Sequence, residues 1–267
     1  MTLGDQGGLG NYAEFKLSIT QALGDQLAEH LAALTKAPLT AENLAKLPPL
    51  KGVYQLYRHG KLVYIGKADK SLPQRLSKHL RKLSGRENTD IDQITFTALS
   101  VDEDFNAVTP EELLIKKHQG DGEAPWNYNG FGINDPGRER DTTFFGPDHF
   151  DQLYPARLDW VIDGLPVGNV DLKSLLHIAK TNLPYTFRYA YYRDKKKVEF
   201  YAGFEIALAT SEMTADEFFQ LVSAQLPSPW QITVLPGYVV MYPEKLRSKS
   251  ARKYYIEGES FPPDDLT

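Results

Sequence analysis

The sequence predicts an α+β fold built from two successive units. Apolar stripes at helical spacing run between residues 12 and 83, and a strand–turn–strand run covers 52–65. A second block after Trp160 reads helix, strand, strand, helix, strand, the order of a small α+β domain. The chain of 267 residues is 42% hydrophobic, 24% charged and 12% aromatic, enough apolar material for one large domain or two small ones. No internal repeat is present.

Taken in order, residues 1–10 are Gly-rich and read as a mobile lead-in. From Tyr12 to Leu34, Phe15, Ile19, Leu23, Leu27 and Leu31 recur every four residues, which predicts an amphipathic helix stopped by Pro38. Thr40 caps a short helix, and Pro48-Pro49 opens the next unit. Gly52–Tyr57 and Lys61–Ile65 are strands joined at His59-Gly60. Ser71, Pro73 and Gly85 bracket a helix with Leu72, Leu76, Leu80 and Leu83 as its stripe, and with Arg75 and His79 beside the stripe. Ile94–Leu99 is a third strand. Pro110 starts a helix over Glu111–His118, and 127–149 is an Asn-, Gly- and Asp-rich loop.

After Trp160, helices are predicted over 170–181 and 214–225. Strands are predicted over 186–193 and 197–209, joined at Asp194-Lys195, and one or two more lie within 230–242. The last ten residues are expected to fray. The expected boundaries are an N-terminal helical segment (1–37), a central domain (38–158) and a C-terminal α+β domain (159–267) able to bind DNA or a partner.

Charge narrows the function. Thirty Lys and Arg against thirty-five Asp and Glu give a net charge of −5, which excludes a uniformly basic nucleic-acid coat but not a local basic face. Ten basic residues and one acid lie between Lys51 and Arg86, whereas eight acids and no Lys or Arg lie between Glu87 and Glu112. The basic stretch suits a phosphate-binding surface. Having no Cys, the chain holds no disulfide, thiolate metal site or thiol nucleophile. No apolar run approaches the roughly 20 residues of a membrane span, and the first residues lack the features of a signal peptide. A soluble, cytoplasmic protein is expected.

Tyr, Arg, His and Glu side chains can supply what phosphodiester hydrolysis needs: an activated water and charge stabilisation on the phosphoryl oxygens, usually with a divalent metal. Taken singly, Tyr54 and Tyr64 are ordinary strand residues. As an ordered set, the pattern is more specific. It comprises Gly52-Val53-Tyr54, Tyr64-Ile65-Gly66-Lys67-Ala68, Arg75 with His79, Glu111-Glu112-Leu113-Leu114-Ile115 and Pro125-Trp126-Asn127. It resembles the GIY-YIG nuclease superfamily over about Pro38–Pro155. Leu83-Ser84-Gly85-Arg86, Pro125-Trp126-Asn127 and Gly130-Phe131-Gly132 followed by Asp135-Pro136-Gly137 are similar to its type II restriction endonuclease branch. The C-terminal region carries no resemblance.

The resemblance implies a three-stranded antiparallel sheet flanked by helices, and Mg²⁺- or Mn²⁺-dependent hydrolysis of double-stranded DNA. It implies that Tyr54 is the general base or water-positioning group, made more acidic by Lys67 or another cation or acting through metal-bound water. Tyr64 would bond the phosphate or order the water, Arg75 would stabilise the transition state, and His79 would orient Tyr54 or touch phosphate. Glu111 would hold the metal and Asn127 would position that side of the site. Glu112 and Asn129 are rivals of Glu111 and Asn127, because Gln119–Ala124 lengthens the intervening segment.

Lys70, Lys78, Arg81, Lys82, Arg86, Asn134, Arg138 and Arg140 are the candidate DNA-binding residues, and a homodimer would suit palindromic cutting. Three functions compete: a restriction or defence endonuclease, a structure-specific repair nuclease, and a non-catalytic DNA-binding or interaction module.

Overall fold

Two adjacent left-handed residues, His59 (φ 48°) and Gly60 (φ 76°), turn β2 (Gly52–Arg58) back as β3 (Lys61–Ala68) in the computed structural model. This is the backbone a two-residue hairpin loop requires. The structure describes residues 19–101, 111–112, 114–115, 123–132 and 137–266. Preceding the hairpin are α1 (Ile19–Ala32), β1 (Ala37–Pro38) and α2 (Ala41–Ala45), the last capped by the Thr40 hydroxyl. α3 (Leu72–Ser84) and β4 (Ile94–Ser100) follow it.

The sheet order is β1-β4-β2-β3, all antiparallel. It thus has a fourth, two-residue strand beyond the three expected, and Pro38 suits that edge because it has no N–H to donate. Side-chain alternation divides the sheet. Tyr54, Leu56 and Tyr64 pack with Leu72, Leu76 and Leu83 of α3, while Val53 and Ile65 pack with Leu27 and Leu31 of α1 and with Leu114. The N-terminal helix therefore covers the sheet's second face. The part of it expected before Ile19 lies outside the described residues, as do the 1–10 lead-in and the 116–118 end of the Glu111 helix.

A short α4 (Phe150–Leu153) leads into the C-terminal region. Here β10 (Trp230–Val234), β11 (Tyr238–Pro243), β7 (Thr186–Tyr189), β12 (Lys253–Ile256) and β13 (Glu259–Phe261) form one sheet in the order β13-β12-β10-β11-β7. Helices α5 (Leu172–Asn182) and α6 (Ala215–Ser223) share its core through Leu172, Leu176, Phe218 and Phe219.

Two expectations are corrected. Residues 197–203 form a 3₁₀ helix, because the Asp194 carboxylate accepts the N–H groups of Lys196 and Lys197 and winds the chain. Only β8 (Glu205–Leu208) is extended there, and it pairs with β6 (Gly168–Asp171) rather than β7, while the two-residue β5 (Val161–Ile162) and β9 (Met213–Thr214) pair with each other. The chain end does not fray at 259–261, since Glu257 (φ 51°) and Gly258 (φ 86°) turn it back onto β12. Among the described residues, no helix is long and apolar enough to cross a membrane.

The C-terminal end of α3 is the junction of the two regions. Gly85 lies against the Pro184 ring, where a Cβ has no room. Arg81 donates to the Thr181 and Leu183 carbonyls. Arg86, buried, pairs with buried Asp151 at 2.9 Å and donates to the Tyr154 and Pro236 carbonyls.

Candidate active site

Strand register creates the site. Tyr54 lies opposite Gly66, and Tyr64 lies one pleat away opposite Leu56, so both rings emerge on the α3 face 6.2 Å apart. Any side chain at 66 would run into both rings, which is the physical reason for glycine there. On α3, Arg75 and His79 are one turn apart and meet the tyrosines. The Tyr54 hydroxyl lies 2.6 Å from His79 Nε2, and Arg75 Nε–H donates to the same oxygen at 3.2 Å. His79 sits within the buried stripe of α3, not beside it, while Leu80 is only partly buried. Phe131 stacks on the imidazole at 4.9 Å and meets Tyr64 edge-on. Gly132 abuts the Tyr64 hydroxyl. Phe131 and Gly132 thus close the site from a loop whose glycines are its only sequence signal.

Burial governs the charges. Tyr54 is fully enclosed and its phenol is pushed well above the ordinary value, Tyr64 adding to the effect and Arg75 only partly opposing it. Tyr64 shifts the same way, through burial and then the Glu111 carboxylate. The expected acidification of Tyr54 by Lys67 is therefore corrected. Lys67 lines the adjoining cleft instead, 3.5 Å from the Asp69 carboxylate. Burial, assisted by Arg75 and Lys82, lowers His79 to about 3, so the imidazole is neutral at physiological pH and can accept the Tyr54 hydroxyl's hydrogen bond. It is too enclosed to meet a phosphate, and of its two expected roles the geometry supports orienting Tyr54.

The His79 shift has a measurable consequence. The folded protein keeps His79 neutral down to pH about 3, whereas the unfolded chain takes up the proton below about 6.5. Acid therefore favours unfolding through that window, with a loss of about 2 kcal/mol between pH 7 and pH 5. A His79→Gln variant, which keeps a hydrogen-bond partner for Tyr54, should lose this increment in denaturant titrations at the two pH values. An equal acid sensitivity in both proteins counts against it.

Beyond Arg75 a cleft of about 470 Å³ opens, lined by Lys67, Asp69, Lys70, Gln74, Lys78 and Glu111. Glu111 is half-buried and faces the cleft, whereas Glu112 is exposed and does not line it. The Glu111 carboxyl is raised by burial, with Arg75 opposing and Asp69 adding to the rise. A cation held against this half-buried carboxylate would offset the penalty that burial places on its charge. Among the described residues there is no cluster of three or more His, Asp or Glu. A single carboxylate still suits Mg²⁺, which keeps several waters and takes substrate phosphate oxygens.

Asn127 grips the outer edge of β3: its Oδ1 accepts the Ile65 N–H at 2.9 Å and its Nδ2 donates to the Ile65 carbonyl at 2.8 Å. It thereby pins the strand that carries Tyr64 and Gly66. Asn129 makes no such contact to β3; its carbonyl accepts from the Phe150 N–H.

The basic candidates separate by direction on α3. Lys70 and Lys78 are exposed at the cleft. Arg81, Lys82 and Arg86 do not line the cleft. Arg81 and Arg86 are committed to the junction, and Lys82 donates to the Phe131 carbonyl at 2.7 Å over the Phe131 and Phe150 rings. Arg138 is exposed, paired with Glu244 at 2.6 Å and stacked on Tyr242. Arg140 contributes backbone to the 3₁₀ turn Arg138–Thr142, and its side chain, like Asn134, lies outside the described residues. Tyr185, Tyr189 and Tyr201 of the C-terminal region are buried in its core, the packing role their alternation suggests.

No curated protein matches this chain. Residues 50–129 match the family model described as the GIY-YIG catalytic domain, and this stretch contains the hairpin, α3, Glu111 and Asn127 just assembled. The chain therefore carries a GIY-YIG catalytic domain, a nuclease unit that acts on DNA.

Proposed function

We propose that the protein is a divalent-metal-dependent DNA endonuclease of the restriction type, working in the cytoplasm as a defence enzyme. In this reading residues 38–158 are the nuclease domain and 159–267 a separately cored C-terminal domain. One observation carries the catalytic assignment: the Tyr54 hydroxyl is held between a neutral imidazole and a guanidinium that lines a cleft with Glu111. The motifs at 83–86, 125–127 and 130–132 support the restriction branch, each occupying a junction, an edge clamp or a lid on the tyrosines. Cutting both strands of a palindrome takes two such sites, hence a homodimer.

Arg75 is the group between Tyr54 and the cleft. When it engages the scissile phosphate with its fixed fork, it draws away from the phenol and leaves that oxygen a lone pair for water. Tyr54 then takes the water proton as its own shifts toward His79 Nε2, 2.6 Å away, in the transition state only, because burial disfavours a lasting imidazolium. A P–O bond forms from the water oxygen, the bond to the leaving deoxyribose oxygen breaks, that oxygen takes a proton from solvent in the open cleft, and the proton drawn from the attacking water is returned to solvent. Tyr64 holds a phosphoryl oxygen, and Lys67, Lys70 and Lys78 hold flanking phosphates. Glu111 would hold the Mg²⁺ or Mn²⁺, which supplies positive charge to the phosphoryl oxygens when bound.

Incubation with unmethylated plasmid and either ion tests the reading, beside Glu111→Ala. Discrete fragments that vanish in the variant are the expected result. Nicking or cutting confined to branched DNA would point to the repair-type alternative, and binding without cleavage to the non-catalytic one.

A further inference from the structure

Two segments far apart in the chain, 137–149 and 244–250, meet beside the tyrosine pair. Gly132 abuts Tyr64, and two residues earlier Gly130 lies against the His149 imidazole. His149 packs edge-on to Phe145 at 4.7 Å. The Phe145 N–H donates to Ser250 Oγ at 2.9 Å, and that hydroxyl donates to the Thr143 carbonyl at 3.1 Å. Ser250 is buried, so one shielded hydroxyl clamps both neighbours of residue 144. Phe144 itself is 64% exposed, held out by a loop that is not free to fold it inward.

The adjoining loop is basic and contains no acid from 245 to 253. Arg252 is committed to Glu87, Lys253 to Asp216, and Arg247 to Gln231. Lys245 and Lys249 are exposed, with no ion pair or hydrogen bond among the described residues. A fixed exposed ring beside unpaired ammonium groups is the chemistry of a DNA contact, the ring packing on a base step or sugar and the lysines on phosphates.

We infer that Phe144, Lys245 and Lys249 form a duplex-DNA contact that flanks the cleavage site. The inference rests on the nuclease reading, deepens it, and gives the C-terminal region a part in substrate binding.

The test is anisotropy of a fluorescein-labelled duplex carrying a mapped cleavage site, titrated with full-length protein in a Glu111→Gln background. Phe144→Ala should weaken binding about tenfold at fixed salt. The pair Lys245→Ala and Lys249→Ala should lower the slope of log affinity against log salt by about 2. Phe144→Trp should retain binding, with its emission quenched by the duplex. Thermal unfolding midpoints equal to the parent's separate these effects from misfolding. Variants that bind like a DNA-binding parent overturn the loop contact alone, whereas a wild-type protein that neither cuts nor binds DNA overturns the nuclease reading with it.

Discussion

Tyr54→Phe is expected to lower the single-turnover rate of DNA cleavage by about 10³-fold, within the range for loss of a general base. The change removes one oxygen and leaves the ring, so packing against Gly66, Tyr64 and His79 survives. What goes is the atom that joins His79 Nε2, at 2.6 Å, to Arg75 at the cleft, and with it the acceptor of Arg75 Nε–H. Stability should fall by only about 1–3 kcal/mol, because the enclosed imidazole nitrogen loses its partner. The informative comparison is the double variant with His79→Gln. If the two side chains pass one proton, the second substitution adds little to the first. Additive losses, or a Tyr54→Phe rate within tenfold of the parent, would sink the relay and leave Tyr54 a packing residue.

Asp151→Ala should destabilise the fold by about 3–5 kcal/mol, the usual consequence of leaving a buried charge without its partner. Arg86 is 5% exposed and its guanidinium is already disfavoured by burial, with Asp151 as the main compensation. Alanine removes that compensation and opens a gap where Gly237 now closes on the carboxylate. In a chain of this size the midpoint of thermal unfolding should drop by roughly 10 °C. Replacing the pair together, Arg86→Met with Asp151→Leu, should recover most of the loss, since no unpaired charge remains. A single-variant loss below about 1 kcal/mol by denaturant titration would show that water reaches the junction. Cleavage should also suffer in Asp151→Ala, because the junction fixes the helix that carries Arg75 and His79.

Local signals made much of the nuclease region readable before its structure was known. His59-Gly60 specifies the hairpin, Thr40 and Ser71 cap the helices at their expected starts, and the leucine stripe sets the buried face of α3. The ordered tyrosine, arginine, histidine, glutamate and asparagine motifs carry the resemblance to the family that the domain match shows. Such features depend on residues a few positions apart, where backbone sterics and hydrogen-bond reach leave few alternatives.

Burial and long-range pairing are different, since they depend on groups that the chain brings together from a distance. A run of basic residues on α3 reads as a phosphate face. Yet only Lys70 and Lys78 of those beyond the site open to the cleft, because Thr181, Leu183, Asp151 and Phe131 claim Arg81, Arg86 and Lys82. Lys67 reads as the cation that acidifies Tyr54, but enclosure by the core dominates and drives the phenol the other way. The stretch at 197–203 reads as a strand until Asp194 winds it, and the C-terminal tail pairs only because β12 offers it an edge. The sequence by itself determined most of the elements of residues 38–100 and the ordered motifs that match the family. The tertiary structure decided which charges line the cleft and which side chains burial keeps neutral, because dielectric and partner are properties of the assembled core.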